Sequence, residues 1–173
     1  WQAITSPPTL EVVPKRGWGG VFWNSHPTFI KSQWDRFAEL YEESQNQSLE
    51  SGEKRMLVRC VCVADTYEEA VESVRPGHDE FWKFLGPYGW SKGYMGPDGK
   101  PSKAGLIPTL EDSLEQKIWI VGSADDVGEQ IEWYRDLLGV ENLMLFPMMP
   151  GDSYESGTDQ LHRLAEDVLP KFT

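Results

Sequence analysis

The sequence predicts an α/β protein built from four strand–helix units with parallel strands. Three observations point there: short apolar runs alternate with amphipathic helical stripes, Ser, Thr, Asp or Asn stands at each helix start, and residues 56–64 form a nearly unbroken apolar strand. Strands alternating with helices imply right-handed crossovers. Four such units make half of an eight-unit (β/α) barrel, and a free-standing doubly wound sheet is the competing architecture.

The first unit is WQAITSPPTLE. A short strand (Trp1, Ala3, Ile4) delivers Thr5 and Ser6 to a helix start, where Ser6 can cap and Pro7 is tolerated. Free N–H groups and the helix dipole favour an anion at such a place, so Thr5, Ser6 and Thr9 are candidates for holding a phosphate. Simple helix capping is the competing role. The helix expected over 9–16 contains Pro14, which costs about 3 kcal/mol inside a helix, so it should be short or broken. No Met or run-in precedes the first strand, and the chain reads as cut rather than begun.

Val21, Phe22 and Trp23 form the second strand, and Asn24-Ser25-His26-Pro27 caps a helix with Ile30, Trp34, Phe37, Ala38 and Tyr41 on one stripe. His26 sits at a strand end and is a weak catalytic candidate; a turn role is the commoner one. The third strand, 56–64, is interrupted only by Arg59, read as an interior or ion-paired arginine. Asp65 with Glu68 resembles a capping box, and Pro76-Gly77 is expected to interrupt the helix that follows. Residues 86–117 are too long for an ordinary connection and form an excursion, whose Lys92, Lys100 and Lys103 could cover an anionic ligand. Ser123 to Asp126 opens the next helix, with Val127, Ile131, Tyr134 and Leu138 on its stripe, and Gly139 ends it. Asn142 to Phe146 is the fourth strand, and a last helix places Leu161, Leu164, Ala165 and Val168 on one face. Met148 and Met149 should pack, and His78 and His162 look structural or solvent-facing.

Composition narrows the function. The chain has 173 residues, enough for one domain with a core, and is treated as a single partial domain over 1–173. A net charge of −12 argues against nucleic acid, and the apolar runs are too short for a membrane span. Cys60 and Cys62, two apart on one strand, read as buried reduced thiols rather than a disulfide or a metal site, which fits a cytoplasmic protein. No metal cluster, Walker loop, G-x-G-x-x-G or Ser-His-Asp order stands out. The strand ends carry hydroxyls, one His, Met and aromatics, so a bound cofactor is expected to do the chemistry.

The stretches WQAITSPPTLEVVPKRGWGGVFWNS, VCVADTYEEAVES, IVGSADDVGEQIEWYRDLLGVENLMLFPMMPGD and LAEDVLPKF together resemble the bacterial luciferase-like monooxygenases, over nearly the whole chain and in the right order. The resemblance implies the second half of a (β/α)8 TIM barrel. It implies FMN, or the deazaflavin F420 in a sister group, with reduced flavin supplied by an NAD(P)H:flavin reductase and O₂ used to oxidise a small organic substrate. It also implies that the turn of Thr5, Ser6 and Thr9 holds the flavin phosphate and that 86–117 is the family's active-site insertion. On this resemblance this stretch of sequence lacks the counterpart of the family's first four units, where the catalytic residues usually discussed for it would lie. Pairing with a missing N-terminal half, or with a second copy as a homo-oligomer, is therefore expected. A non-catalytic flavin-binding or structural half-barrel dimer is the alternative.

Overall fold

A computed structural model describes residues 1–96, 98–102 and 106–172. Five strands, β1 (Gln2–Ala3), β2 (Gly20–Trp23), β3 (Arg55–Val63), β4 (Ile120–Gly122) and β5 (Asn142–Phe146), form one parallel sheet. The helices are α1 (Pro7–Val12), α2 (Pro27–Gln45), α3 (Tyr67–Leu85), α4 (Leu110–Glu115), α5 (Ala124–Leu138) and α6 (Tyr154–Arg163). Four of the strands and their order are those expected from the sequence. Three-residue β4 and six-residue α4 were not foreseen, being too short to show a period.

β3 is the hub. Its residues 55–58 pair β2, 56–60 pair β5, and 61–63 pair β4. Alternate residues of a parallel strand address opposite edges. The Lys54 carbonyl accepts from Gly20 N–H of β2 at 2.8 Å, and Ala64 N–H donates to the Gly122 carbonyl at 3.2 Å. Both residues are even-numbered, so β2 and β4 lie end to end along one edge of β3, and β5 takes the other. Beyond β5 that second edge is completed by a side chain: Val63 N–H donates to Gln160 Oε1 and Gln160 Nε2 donates to the Val63 carbonyl, both at 2.8 Å.

This pairing corrects the apolar face assigned to the last helix. Leu161 and Ala165 are exposed, and the buried line runs through Gly157, Gln160, Leu164 and Val168. Gln160 must face β3 to make its bonds. The π-helical turn Leu164–Val168 then carries Leu164 and Val168 onto the same side.

The two faces of β3 separate two cores. Leu57, Val61 and Val63 pack under α2 and α5 with Phe22, Trp34, Phe37, Val127 and Leu138. Cys60 and Cys62 pack with Ala70, Val74, Trp82, Tyr94 and Trp119. Both thiols are free and buried, and burial pushes them up to about 12 and about 11. Arg59 is fully buried and has no ion pair among the described residues: it donates to Tyr134 Oη (2.9 Å), the Val58 carbonyl (3.2 Å) and the Ser25 carbonyl (3.0 Å), with Tyr134 stacked beneath its guanidinium.

Three local expectations change or hold. As anticipated, Pro14 ends α1, and residues 14–16 continue as a 3₁₀ turn. The box opening α3 is shifted by one residue, to Thr66 and Glu69, with reciprocal bonds of 3.2 Å. Pro76 does not interrupt α3, which runs unbroken to Leu85. Burial of Ala70, Val74, Phe81 and Trp82 on both sides of it outweighs the proline's cost, and Gly77 lets the helix approach Met149, which a Cβ would meet at 2.3 Å.

Replacing Gln160 with Leu leaves Val63 N–H and C=O unpaired in the interior. The expected loss is roughly 2–4 kcal/mol, read as a fall in the urea midpoint at unchanged slope; a loss within about 0.5 kcal/mol would show that the edge is satisfied another way.

Candidate active-site cleft

At the C-terminal ends of the strands lies a cleft of about 820 Å³. Its floor is the inner sheet face: Ala3 and Val21, then Trp23, Val58, Met144 and Phe146. These occupy alternate positions on their strands, so the period of two that directs Phe22 and Leu57 into the helix-covered core directs their neighbours into the cleft. Thr5, Ser6 and Pro7 form one rim. Tyr88, Trp90, Lys92 and Gly93 of the excursion form the roof. Trp23 is edge-on to Phe81 (5.8 Å) and to Trp90 (5.5 Å) and tilted against Phe146 (6.4 Å), so floor and roof share one aromatic wall.

The turn from β1 to α1 is organised by Thr9. Its Oγ1 accepts from Ser6 N–H at 3.1 Å and Thr5 N–H at 3.3 Å, donates to the Ser6 carbonyl at 2.7 Å, and lies 3.2 Å from Ser6 Oγ. Two backbone N–H groups are thus consumed within the turn, and Pro7 and Pro8 have none to offer. Thr5 and Ser6 are the hydroxyl-bearing residues of the turn that line the cleft. Thr9 is a shaping residue and is not part of the lining. The three candidates do stand together, and Thr5 and Ser6 open onto the cleft.

His26 is the N-cap of α2. Its Nδ1 accepts from Thr28 N–H at 3.3 Å, and its backbone N–H donates to the Gly93 carbonyl at 2.7 Å. Burial and then the Arg59 charge hold its pKa below the usual value. It is not among the residues lining the cleft.

The roof is fixed by close packing and a buried polar chain. A Cβ on Gly93 would meet Ser25 Oγ at 2.4 Å and the Asn24 carbonyl at 2.7 Å, so only glycine allows this approach to the end of β2. Tyr94, the next residue, is buried with its Oη 2.7 Å from Ser113 Oγ, which lies 2.7 Å from His78 Nε2. His78 Nδ1 is 3.2 Å from Asp79 Oδ1, and its ring is edge-on to Trp119 at 4.8 Å. Ser113 and His78 are fully buried, so this Ser–His–Asp sequence is a structural tie and offers no exposed nucleophile. Among the described residues no acidic or thiol–imidazole cluster suited to a metal occurs, and no helix is long and apolar enough to cross a membrane. Lys103 lies outside the described residues.

Trp23, Trp90, Met144 and Phe146 were not singled out from the sequence as site residues. Strand periodicity carried the signal for Trp23, Met144 and Phe146; Trp90 reaches the cleft only through the tertiary placement of the excursion.

A model of the luciferase-like monooxygenase family matches residues 1–141, and the chain belongs to that family. Its fold is similar to the oxygenating constituent of 3,6-diketocamphane monooxygenase from Pseudomonas putida, solved with FMN: TM-score 0.75 and 20% identity, covering 98% of this chain and 47% of that one. It also resembles a monooxygenase from Streptomyces bottropensis (TM-score 0.69, 16% identity, 99% and 47% covered). A third is the coenzyme F420-dependent tetrahydromethanopterin reductase from Methanopyrus kandleri (TM-score 0.61, 16% identity, 99% and 50% covered). The chain spans about half the length of these solved relatives. A search by sequence among curated proteins gives no match.

Burial lowers the His78 pKa below its ordinary 6.5, so the unfolded chain binds that proton more readily than the folded one. Stability is therefore greatest above pH 6.5 and falls as the pH drops below it. His26 is shifted the same way and adds to the slope. Denaturation followed between pH 7.5 and 5 should show this loss, and His78→Gln should flatten part of it; an unchanged slope would contradict a neutral buried imidazole.

Proposed function

We propose that this chain is the flavin-phosphate-binding, C-terminal half of a luciferase-like monooxygenase in which reduced FMN and O₂ oxidise a small organic substrate. The observation that carries the reading is that the Thr5–Ser6 hydroxyls and the inward residues of β1, β2, β3 and β5 line one cleft. A flavin mononucleotide needs both parts at once: hydrogen-bond donors for a phosphate at a rim, and a flat apolar wall for a fused ring. The donor set fits that group, and the wall of Trp23, Met144 and Phe146 fits a planar body.

Bound reduced flavin would supply the electrons that activate O₂. This chain's residues do the rest of what is assigned to it. Thr9 holds the turn so that the Thr5 and Ser6 hydroxyls face the phosphate, and the aromatic floor and roof exclude water from the reacting side. The same turn and wall would accommodate F420, which the mass of the bound cofactor distinguishes.

Met144 and Phe146 are 47% and 44% exposed, and no strand among the described residues covers the outer edges of β1 and β5. Both features favour closure of the barrel by further strands, from an N-terminal half or from a second copy.

Purified protein titrated with FMN should quench flavin fluorescence. Ser6→Ala with Thr9→Ala should raise the FMN Kd by about tenfold or more, a loss near 1.4 kcal/mol, while riboflavin binding stays within about twofold. Sedimentation of the same sample should show a dimer or a co-purifying half. No binding of either flavin, or equal FMN affinity in the double variant, would overturn the assignment; a well-folded monomer would overturn the closure.

A further inference from the structure

The charge around the cleft is opposite to that of the protein. The chain carries a net charge of −12, yet among the described residues no Asp or Glu lines the cleft and Lys92 is the single charged residue that does. Lys92 is exposed on the 3₁₀ turn Trp90–Gly93, and no ion pair to it exists among the described residues. A second cation stands behind the wall. Buried Arg59 meets only neutral acceptors, and one of them is the carbonyl of Ser25, a cleft residue. Lys92 in the lining and Arg59 behind the Ser25 carbonyl thus place two positive charges, without ion pairs among the described residues, at a cleft with apolar walls, an arrangement that concentrates anions.

The Thr5–Ser6 rim itself is neutral. Thr5 and Ser6 bring hydroxyls, Pro7 and Pro8 bring no N–H, and the Thr9 hydroxyl is spent on the turn. An anionic group at that rim therefore lacks a counter-charge from its own turn.

We infer that Lys92, carried into the cleft by the excursion, is the residue that recognises the anionic group of the cleft's ligand. Its position is set by its neighbours in the chain: Gly93 seats against Ser25, and Tyr94 is tied to Ser113 and His78. The excursion is thereby an anion-recognition arm as well as a roof. The inference rests on the cleft being a ligand site, and it deepens the flavin reading by assigning the counter-charge. The shared chemistry is an anion on an apolar body, from the flavin phosphate or from an acidic substrate.

The test uses wild type, Lys92→Met and Lys92→Arg. FMN and riboflavin are titrated by fluorescence; hexanesulfonate and hexanol are titrated by calorimetry. For the phosphate source, Lys92→Met raises the FMN Kd roughly fivefold, leaves riboflavin unchanged, and removes most of the salt dependence of FMN binding; Lys92→Arg retains both. For the substrate source, FMN is unmoved while hexanesulfonate weakens by a similar factor and hexanol does not. Either pattern supports Lys92 as the anion contact. Unchanged binding of both anions, or equal weakening of charged and uncharged partners, overturns it. Wild type that binds neither flavin but binds hexanesulfonate through Lys92 would overturn the flavin reading alone, and wild type that binds none of the four overturns both.

Discussion

The structure depends on β3 being paired on both edges and covered on both faces. Its nine residues, Arg55–Val63, meet β2 and β4 on one side and β5 and the Gln160 amide on the other. With both edges occupied, the register of every other strand is referred to β3. Odd-numbered side chains of β3 such as Leu57, Val61 and Val63 then enter the core under α2 and α5, and even-numbered ones face the other side, Val58 in the cleft and Cys60 and Cys62 in the second core. A shift of one residue would exchange the two sets. The cleft is therefore not a separate construction: its floor is the other half of the alternation that builds the core.

Arg59 shows what this arrangement costs and what it provides. A fully buried guanidinium without a carboxylate is expensive unless its donors are used. Here they join the β3 backbone, the end of β2 at Ser25 and α5 at Tyr134, and the Tyr134 hydroxyl in turn donates to the Lys117 carbonyl at the end of the excursion. The same residue that locks three elements leaves a positive charge behind the cleft wall. Rigidity and electrostatic character have one source.

Much of the fold was legible because it is written in period and caps. β3 read as doubly buried from its apolar run, α2 and α5 from their stripes, and the start of α5 from Ser123 to Asp126, where the structure adds the reciprocal box between the two. What was not legible depends on partners distant in sequence. Gln160 looks like a surface residue until Val63, 97 positions away, needs its amide. Pro76 looks like a break until packing keeps α3 continuous through it. In the site, Thr5, Ser6 and Thr9 were visible as a strand-to-helix turn, but not that Thr9 would consume the N–H groups and leave hydroxyls as the donors. His26 was visible at a strand end inside the Asn24–Pro27 cap, and the Thr28 bond shows that His26 itself is the capping residue. Lys92 was one of three lysines in a long excursion; the packing of Gly93 on Ser25 separates it from the others.

The central claim is that the inner sheet face and the Thr5–Ser6 turn form one flavin site. A crystal structure of this chain soaked with FMN tests it most directly. The phosphate should lie within hydrogen-bonding distance of the Thr5 and Ser6 hydroxyls, with the ring system against Trp23, Met144 and Phe146. A phosphate held elsewhere, or a ring bound outside the cleft, would contradict the account.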